Sequence, residues 1–156
     1  MLKLLKQKGP TCGACAYASI LSGFGINLDE RQAALEVETK RTGTDVFNVV
    51  EALNNRGIPN SGVVFLNEDF SSYFRWLKLN SFNRFLYVGF NGANKGRKGR
   101  PTNESHAVVV SNGFVYDSTL SCSMPLDTYF SKYNYKSKVI FMIMVDSPSF
   151  KVFEEK

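Results

Sequence analysis

The sequence predicts an α+β fold, with a helical part over about residues 12–57 and an antiparallel sheet part over about 62–146. Three observations carry that expectation. Small and apolar residues recur at helical spacing between Cys12 and Asn55, punctuated by glycines. Beyond Gly62 the pattern changes to short runs rich in Val, Ile, Phe and Tyr. One of those runs turns at Asn112-Gly113, a strong two-residue hairpin signal, which makes the sheet antiparallel. Helices first and strands after, with no internal repeat and no linker, predict one domain over 1–156.

In order, residues 1–11 read as an extended arm ending in a turn at Gly9-Pro10, with Thr11 as cap of the helix that follows. That helix runs from Cys12 to Ser22, stops at Gly23 or Gly25, and buries Cys15, Ala18, Ile20 and Leu21. A second helix starts at Asn27-Leu28-Asp29-Glu30 and runs to about Lys40, acidic in its first turn and basic in its last. Gly43-Thr44-Asp45 breaks the chain and caps a third helix, Val46 to Asn55, whose stripe is Val46, Val49, Val50 and Leu53 and which Gly57 ends.

Residues 62–66 then read as a strand, Asp69 to Leu79 as a helix and Arg84 to Phe90 as a strand. Residues 91–104 carry Lys95, Arg97, Lys98 and Arg100 and read as an exposed, solvated loop. Strands follow over Ser105 to Val110 and Phe114 to Asp117, a helix over Pro125 to Tyr133, and a buried strand over Lys138 to Val145. The tail after Pro148 is peripheral.

At 156 residues, 44% hydrophobic and 13% aromatic, the chain has material for a sizeable core. The net charge of +5 reads as a basic surface and does not require nucleic acid. Three cysteines, two of them only three apart, make a poor disulfide framework and fit a reducing compartment. Met1-Leu2-Lys3-Leu4-Leu5-Lys6 lacks the apolar core and cleavage site of a signal peptide, and no apolar run reaches spanning length. The expectation is a cytoplasmic protein with no membrane partner.

The chemistry centres on Cys12. A cysteine at a turn-to-helix junction faces unpaired backbone N–H groups and the positive end of the helix dipole, both of which favour a thiolate. A thiol nucleophile needs a base and a group to orient that base. The chain has a single histidine, His106, so the base has one candidate. If Asn112 and Gly113 are the turn residues, Ser111 lies opposite Phe114 and Asp117 opposite Val108. His106 and Asp117 are then a diagonal pair on one face. The Cys12 amide and the Gln7 side chain are the candidate oxyanion donors.

Gln7, Cys12-Gly13 and the following Ala16 and Ala18, Gly43-Thr44, His106 with Val108-Val109, and Tyr116-Asp117 together resemble papain-like cysteine peptidases. They are most similar to the double-glycine leader peptidases fused to bacteriocin exporters and their stand-alone relatives. The resemblance spans about residues 7–118 and implies a papain-like fold. It implies hydrolysis of a peptide or isopeptide bond of a peptide or protein substrate, after a small residue such as Gly. It also implies a Cys12–His106–Asp117 triad with Gln7 as oxyanion donor, no cofactor, and at most a stand-alone relative of the exporters.

The chain departs from that pattern in three places. One residue fewer separates Gln7 from Cys12, Ser118 stands where a proline commonly follows the aspartate, and Cys15 is a second cysteine that offers an alternative nucleophile. Cys15 and Cys122 otherwise read as buried structural cysteines.

Other readings of the same residues are an acyltransferase, a binding module without catalysis, and a Cys3His zinc site of Cys12, Cys15, Cys122 and His106. Cys12-Gly13-Ala14-Cys15 is also similar to a thioredoxin motif, although only a short arm precedes it where a βα unit belongs. Neither the oligomeric state nor a specificity pocket is readable.

Overall fold

The computed structural model describes residues 2–8, 11–91, 105–120, 122–133 and 138–148. Its helices are α1 (Cys12–Ser22), α2 (Glu30–Glu36), α3 (Val46–Asn55), α4 (Phe70–Asn80) and α5 (Leu126–Tyr133). Its strands are β1 (Val64–Asp69), β2 (Arg84–Asn91), β3 (Ser105–Ser111), β4 (Phe114–Asp117), β5 (Cys122–Pro125) and β6 (Lys138–Asp146). Among the described residues the strands form one antiparallel sheet in the order β1-β6-β2-β3-β4-β5. This is the expected α+β architecture. The predicted turn at Gly9-Pro10, nearly all of the basic loop and the tail after Pro148 lie outside the described residues.

Helix α1 is apolar on nearly every side, and every residue from Gly13 to Leu21 is buried. A helix of that kind belongs inside a protein. It is covered on one side by the sheet and on others by α2, α3 and the N-terminal arm. The arm is stitched to it: Ser22 Oγ accepts from the Lys3 N–H at 2.8 Å, and Ser19 Oγ donates to the Lys3 carbonyl at 2.9 Å. The helix ends in a Schellman turn, with Ile26 N–H on Leu21 O, Gly25 N–H on Ser22 O and Gly25 at φ 76°. Thr11 does not cap as expected. Its backbone (φ −117°, ψ 19°) is outside the extended region, and its side chain makes no capping hydrogen bond.

Helix α2 begins with a capping box. Asp29 Oδ1 accepts from the Gln32 N–H, and Gln32 Oε1 from the Asp29 N–H. It stops at Glu36 rather than near Lys40, so no basic residue occupies its last turn. The stop is made by a non-glycine residue. Glu38 takes φ 54°, and the Thr39 N–H reaches back to Ala34 O. Helix α3 has the predicted bounds, with Asp45 accepting from the Phe47 N–H and Gly57 at φ 70° closing its end.

Strand β1 starts at Val64 rather than Gly62, because Gly62 sits at φ 71° in the turn that precedes it. It is an edge strand on β6 and mostly exposed. Strand β5 was not foreseen at all. It pairs with β4 from Phe114↔Pro125 to Asp117↔Cys122. That position leaves Cys122 exposed rather than buried.

The sheet has two buried faces. On one, Tyr87, Ala107, Val109, Tyr116 and Ile143 pack with α1 and α3. On the other, Leu86, Val88, Phe90, Val108, Val110 and Val115 pack with Leu77 of α4 and Leu126 and Tyr129 of α5. Alternation along β3 therefore puts His106 on the α5 side, with Val108 and Val110. Cys12 packs with the α1-side core.

Candidate active site

Turn chemistry sets where His106 and Asp117 fall. Asn112 (φ 51°) and Gly113 (φ 78°) make the two-residue turn, and the pairing that follows is Ser111↔Phe114, Val110↔Val115 and Val109↔Tyr116. The paired stretch ends there. His106 and Asp117 lie just beyond it, where the N-terminus of α1 approaches the end of the sheet.

His106 Nε2 is 2.9 Å from Asp117 Oδ1. Asp117 Oδ1 also accepts from the Thr119 N–H at 2.9 Å, and Oδ2 from the Tyr129 hydroxyl at 2.8 Å. Burial alone would raise the carboxyl pKa. The His106 bond and charge, then Tyr129 and the Thr119 amide, hold it below the usual carboxylate range instead. The rings of Phe90 and His106 pack edge to face, nearly perpendicular, with centroids 5.6 Å apart.

With Nε2 engaged by Asp117, Nδ1 is the imidazole nitrogen left for a thiol. Cys12 is beside it, half-buried. Burial pushes the Cys12 thiol up, but the hydrogen bond and charge of His106, with the amides of Ala107 and Gly13, overcome that and hold it below the ordinary thiol value. His106 moves the other way. Burial disfavours its cation, yet the bonds and charges of Asp117 and Cys12 raise it to about 9. The two shifts oppose each other, the thiol downward and the imidazole upward, and that is the direction that favours a thiolate–imidazolium pair. His106 is thus bonded to Asp117 on the α5 side of the sheet, and Cys12, packed on the α1 side, is close enough for the two side chains to shift each other's pKa.

Cys15 is in the opposite setting. It is fully buried a turn into the helix, and its thiol approaches Thr11 Oγ1 and Glu30 Oε2, each at 3.9 Å. Burial raises it to about 11, and the Glu30 charge adds to that despite the bonds to Thr11 and Ser118. Cys122, across from Asp117 on β5, is exposed. Among the described residues no three His, Cys, Asp or Glu side chains gather as a metal site needs.

Gln7 is fixed to the same turn that carries Asp117. Its Oε1 accepts from Ser118 Oγ and from Thr119 Oγ1, both at 3.0 Å, and its N–H reaches Ser118 O at 3.4 Å. The next residue, Lys8, donates its N–H to Glu30 Oε2 at 2.8 Å, so α2 holds the arm from the other side.

Sequence reasoning missed Tyr129, Thr119, Phe90 and the pair behind Cys12. A Cβ on Gly13 would stand 2.8 Å from Thr44 Cβ and 2.8 Å from the Tyr87 hydroxyl. Glycine is required there because α1 comes this close to the residues behind it. Thr44 is held in turn by Thr39, their hydroxyl oxygens 2.7 Å apart. Gly43-Thr44 could have pointed to that packing; nothing in the sequence marks Tyr129.

Two solved structures are similar over nearly the whole chain. One is the peptidase domain of Streptococcus ComA, a bi-functional ABC transporter involved in a quorum-sensing pathway. It is 19% identical, with a TM-score of 0.58, over 94% of this chain and 99% of that one. The other is a double glycine motif protease from an AMS/PCAT transporter, solved in complex with the leader peptide. It is 15% identical, with a TM-score of 0.60, over 94% and 93%. At those identities the likeness concerns the fold. No curated protein matches. The model of the Peptidase C39 family matches residues 3–82, the half that holds Gln7, Cys12-Gly13 and Gly43-Thr44. The chain thereby belongs to the peptidase C39 family and is a cysteine peptidase.

Proposed function

We propose that this peptidase works through Cys12, His106 and Asp117, with Gln7 as an oxyanion donor. The carrying observation is the buried 2.9 Å bond of His106 to Asp117 beside Cys12 at the start of α1, with the Cys12 thiol shifted downward and His106 upward. The thiolate attacks the scissile carbonyl carbon, and the oxyanion is met by the Cys12 N–H and the Gln7 amide NH2. As the C–N bond breaks, His106 gives its proton to the leaving amine and a thioester remains on Cys12. His106 then takes a proton from water, the hydroxide attacks the thioester, and the acid and the thiolate are released. Asp117 keeps the ring oriented throughout.

The substrate in this reading is a leader-type peptide, cut at a peptide or isopeptide bond after a small residue such as Gly. The name of the double glycine protease and the leader peptide bound to it support that choice. Peptides with Gly-Gly, Ala-Ala or Leu-Leu before the bond, followed by mass spectrometry, test it. Cleavage after Gly-Gly, abolished in Cys12→Ala, is expected. Cleavage of all three alike would remove the small-residue specificity, and equal cleavage by Cys12→Ala would remove the mechanism.

A further inference from the structure

We infer that Ser118 and Thr119 are positioning residues that aim the Gln7 amide at the oxyanion; the inference rests on Gln7 being an oxyanion donor. A primary amide has one acceptor end and one donor end, and only the donor end can serve a developing negative charge. Both hydroxyls bond to the acceptor end, Oε1, each at 3.0 Å. That fixes which way the amide is turned and directs Nε2 away from the 118–119 turn. Ser118 is buried, so its hydroxyl is a rigid anchor, and the Gln7 N–H on Ser118 O fixes the backbone to the same residue. A glutamine on an arm without regular secondary structure would otherwise spread over several rotamers.

Thr119 also joins the two halves of the machinery. Its N–H bonds to Asp117 Oδ1, which orients His106, while its hydroxyl holds Gln7. Replacing only the side chain therefore separates them. Thr119→Val keeps the N–H on Asp117 and removes the hydroxyl from Gln7.

The test is steady-state hydrolysis of a Gly-Gly peptide by wild type, Gln7→Ala, Thr119→Val, Ser118→Ala/Thr119→Val, and the triple variant. Each is also assayed for its rate of alkylation by iodoacetamide against pH. Alkylation of Cys12, separated from that of the exposed Cys122 by peptide mapping, reads the Cys12–His106 pair and needs no oxyanion hole. Losing an oxyanion donor costs about a hundred-fold or more in kcat, and loosening one should cost about ten-fold. The double variant should therefore lose about ten-fold in kcat with KM and the alkylation profile unchanged. The triple variant should be no slower than Gln7→Ala.

Thr119→Val alone sits at an exposed position. It should show part of the same loss, and Thr119→Ser, which keeps the hydroxyl, should recover it. Unchanged kcat in Gln7→Ala would overturn the oxyanion role of Gln7 itself. A slow Gln7→Ala beside Ser118→Ala/Thr119→Val and Thr119→Val variants of normal kcat would overturn the positioning role alone. A parallel fall in alkylation rate would overturn it as well, since the hydroxyls would then act through the fold or the thiolate.

Discussion

His106 Nε2 and Asp117 Oδ1 stand 2.9 Å apart, and neither side chain is more than 4% exposed. A pair so buried is costly to break from one side, because the partner keeps its desolvation without its compensation. Asp117→Ala also strands the Tyr129 hydroxyl and the Thr119 N–H. We expect it to lose about 3–5 kcal/mol of stability by denaturant melts and about a hundred-fold or more in kcat/KM. Asp117→Asn keeps the shape and an acceptor for His106, and should fall by much less on both measures. Equal losses in the two variants would show that shape and hydrogen bonding at this position count for nothing.

The pH dependence has a worked sign. The Cys12 thiol is lowered, so alkylation should begin below the ordinary thiol range, whereas burial alone would have delayed it. His106 is raised from 6.5 to about 9. Its contribution to stability is fully present below about 6.5 and is lost as pH rises through about 9. Hydrolysis should decline over that upper range as the proton for the leaving amine disappears. With a single histidine in the chain, one imidazole resonance reports all of this. In Cys12→Ala its midpoint should move down, since one of the two groups raising it is gone.

Gly13→Ala tests the close approach behind Cys12. The new methyl would meet the half-buried Thr44 Cβ and the fully buried Tyr87 hydroxyl at 2.8 Å each. Overpacking of that sort costs about 1–3 kcal/mol. The helix start must shift to relieve it, which should slow Cys12 alkylation as well as lower Tm. A stable variant with an unaltered alkylation rate would contradict the packing account.

Cys15→Ala should do little to catalysis. The thiol is buried and held near pKa 11, so almost none is ionised at neutral pH. Deleting one buried sulfur should cost about 1–2 kcal/mol by denaturant melts and leave kcat/KM within about two-fold.

What was legible in the sequence was what local chemistry decides. Asn112-Gly113 fixes the hairpin register, and the register brings His106 to Asp117. Glycines at 25 and 57, with Asp45, gave the ends of α1 and α3. The end of α2 was not legible, because Glu38 takes the left-handed conformation without being glycine. Strand β5 was not either, since four residues with a proline carry no period.

The deeper gap concerns faces. Alternation puts His106 and Asp117 on the α5 side of the sheet, away from the main packing of α1. Their approach to Cys12 depends on the end of the sheet, where the β3–β4 pairing stops. Tertiary packing decides that, and no spacing in the sequence reports it. Tyr129 and Phe90 entered the site by the same route.

The most direct test of the account is labelling by a thiol-reactive probe at neutral pH in wild type, Cys12→Ala, Cys15→Ala and His106→Ala. One fast-reacting thiol is predicted in wild type and in Cys15→Ala. It should be absent from Cys12→Ala and markedly slowed in His106→Ala. Fast labelling that survives in Cys12→Ala, or is lost only in Cys15→Ala, would contradict the assignment of Cys12 as the nucleophile.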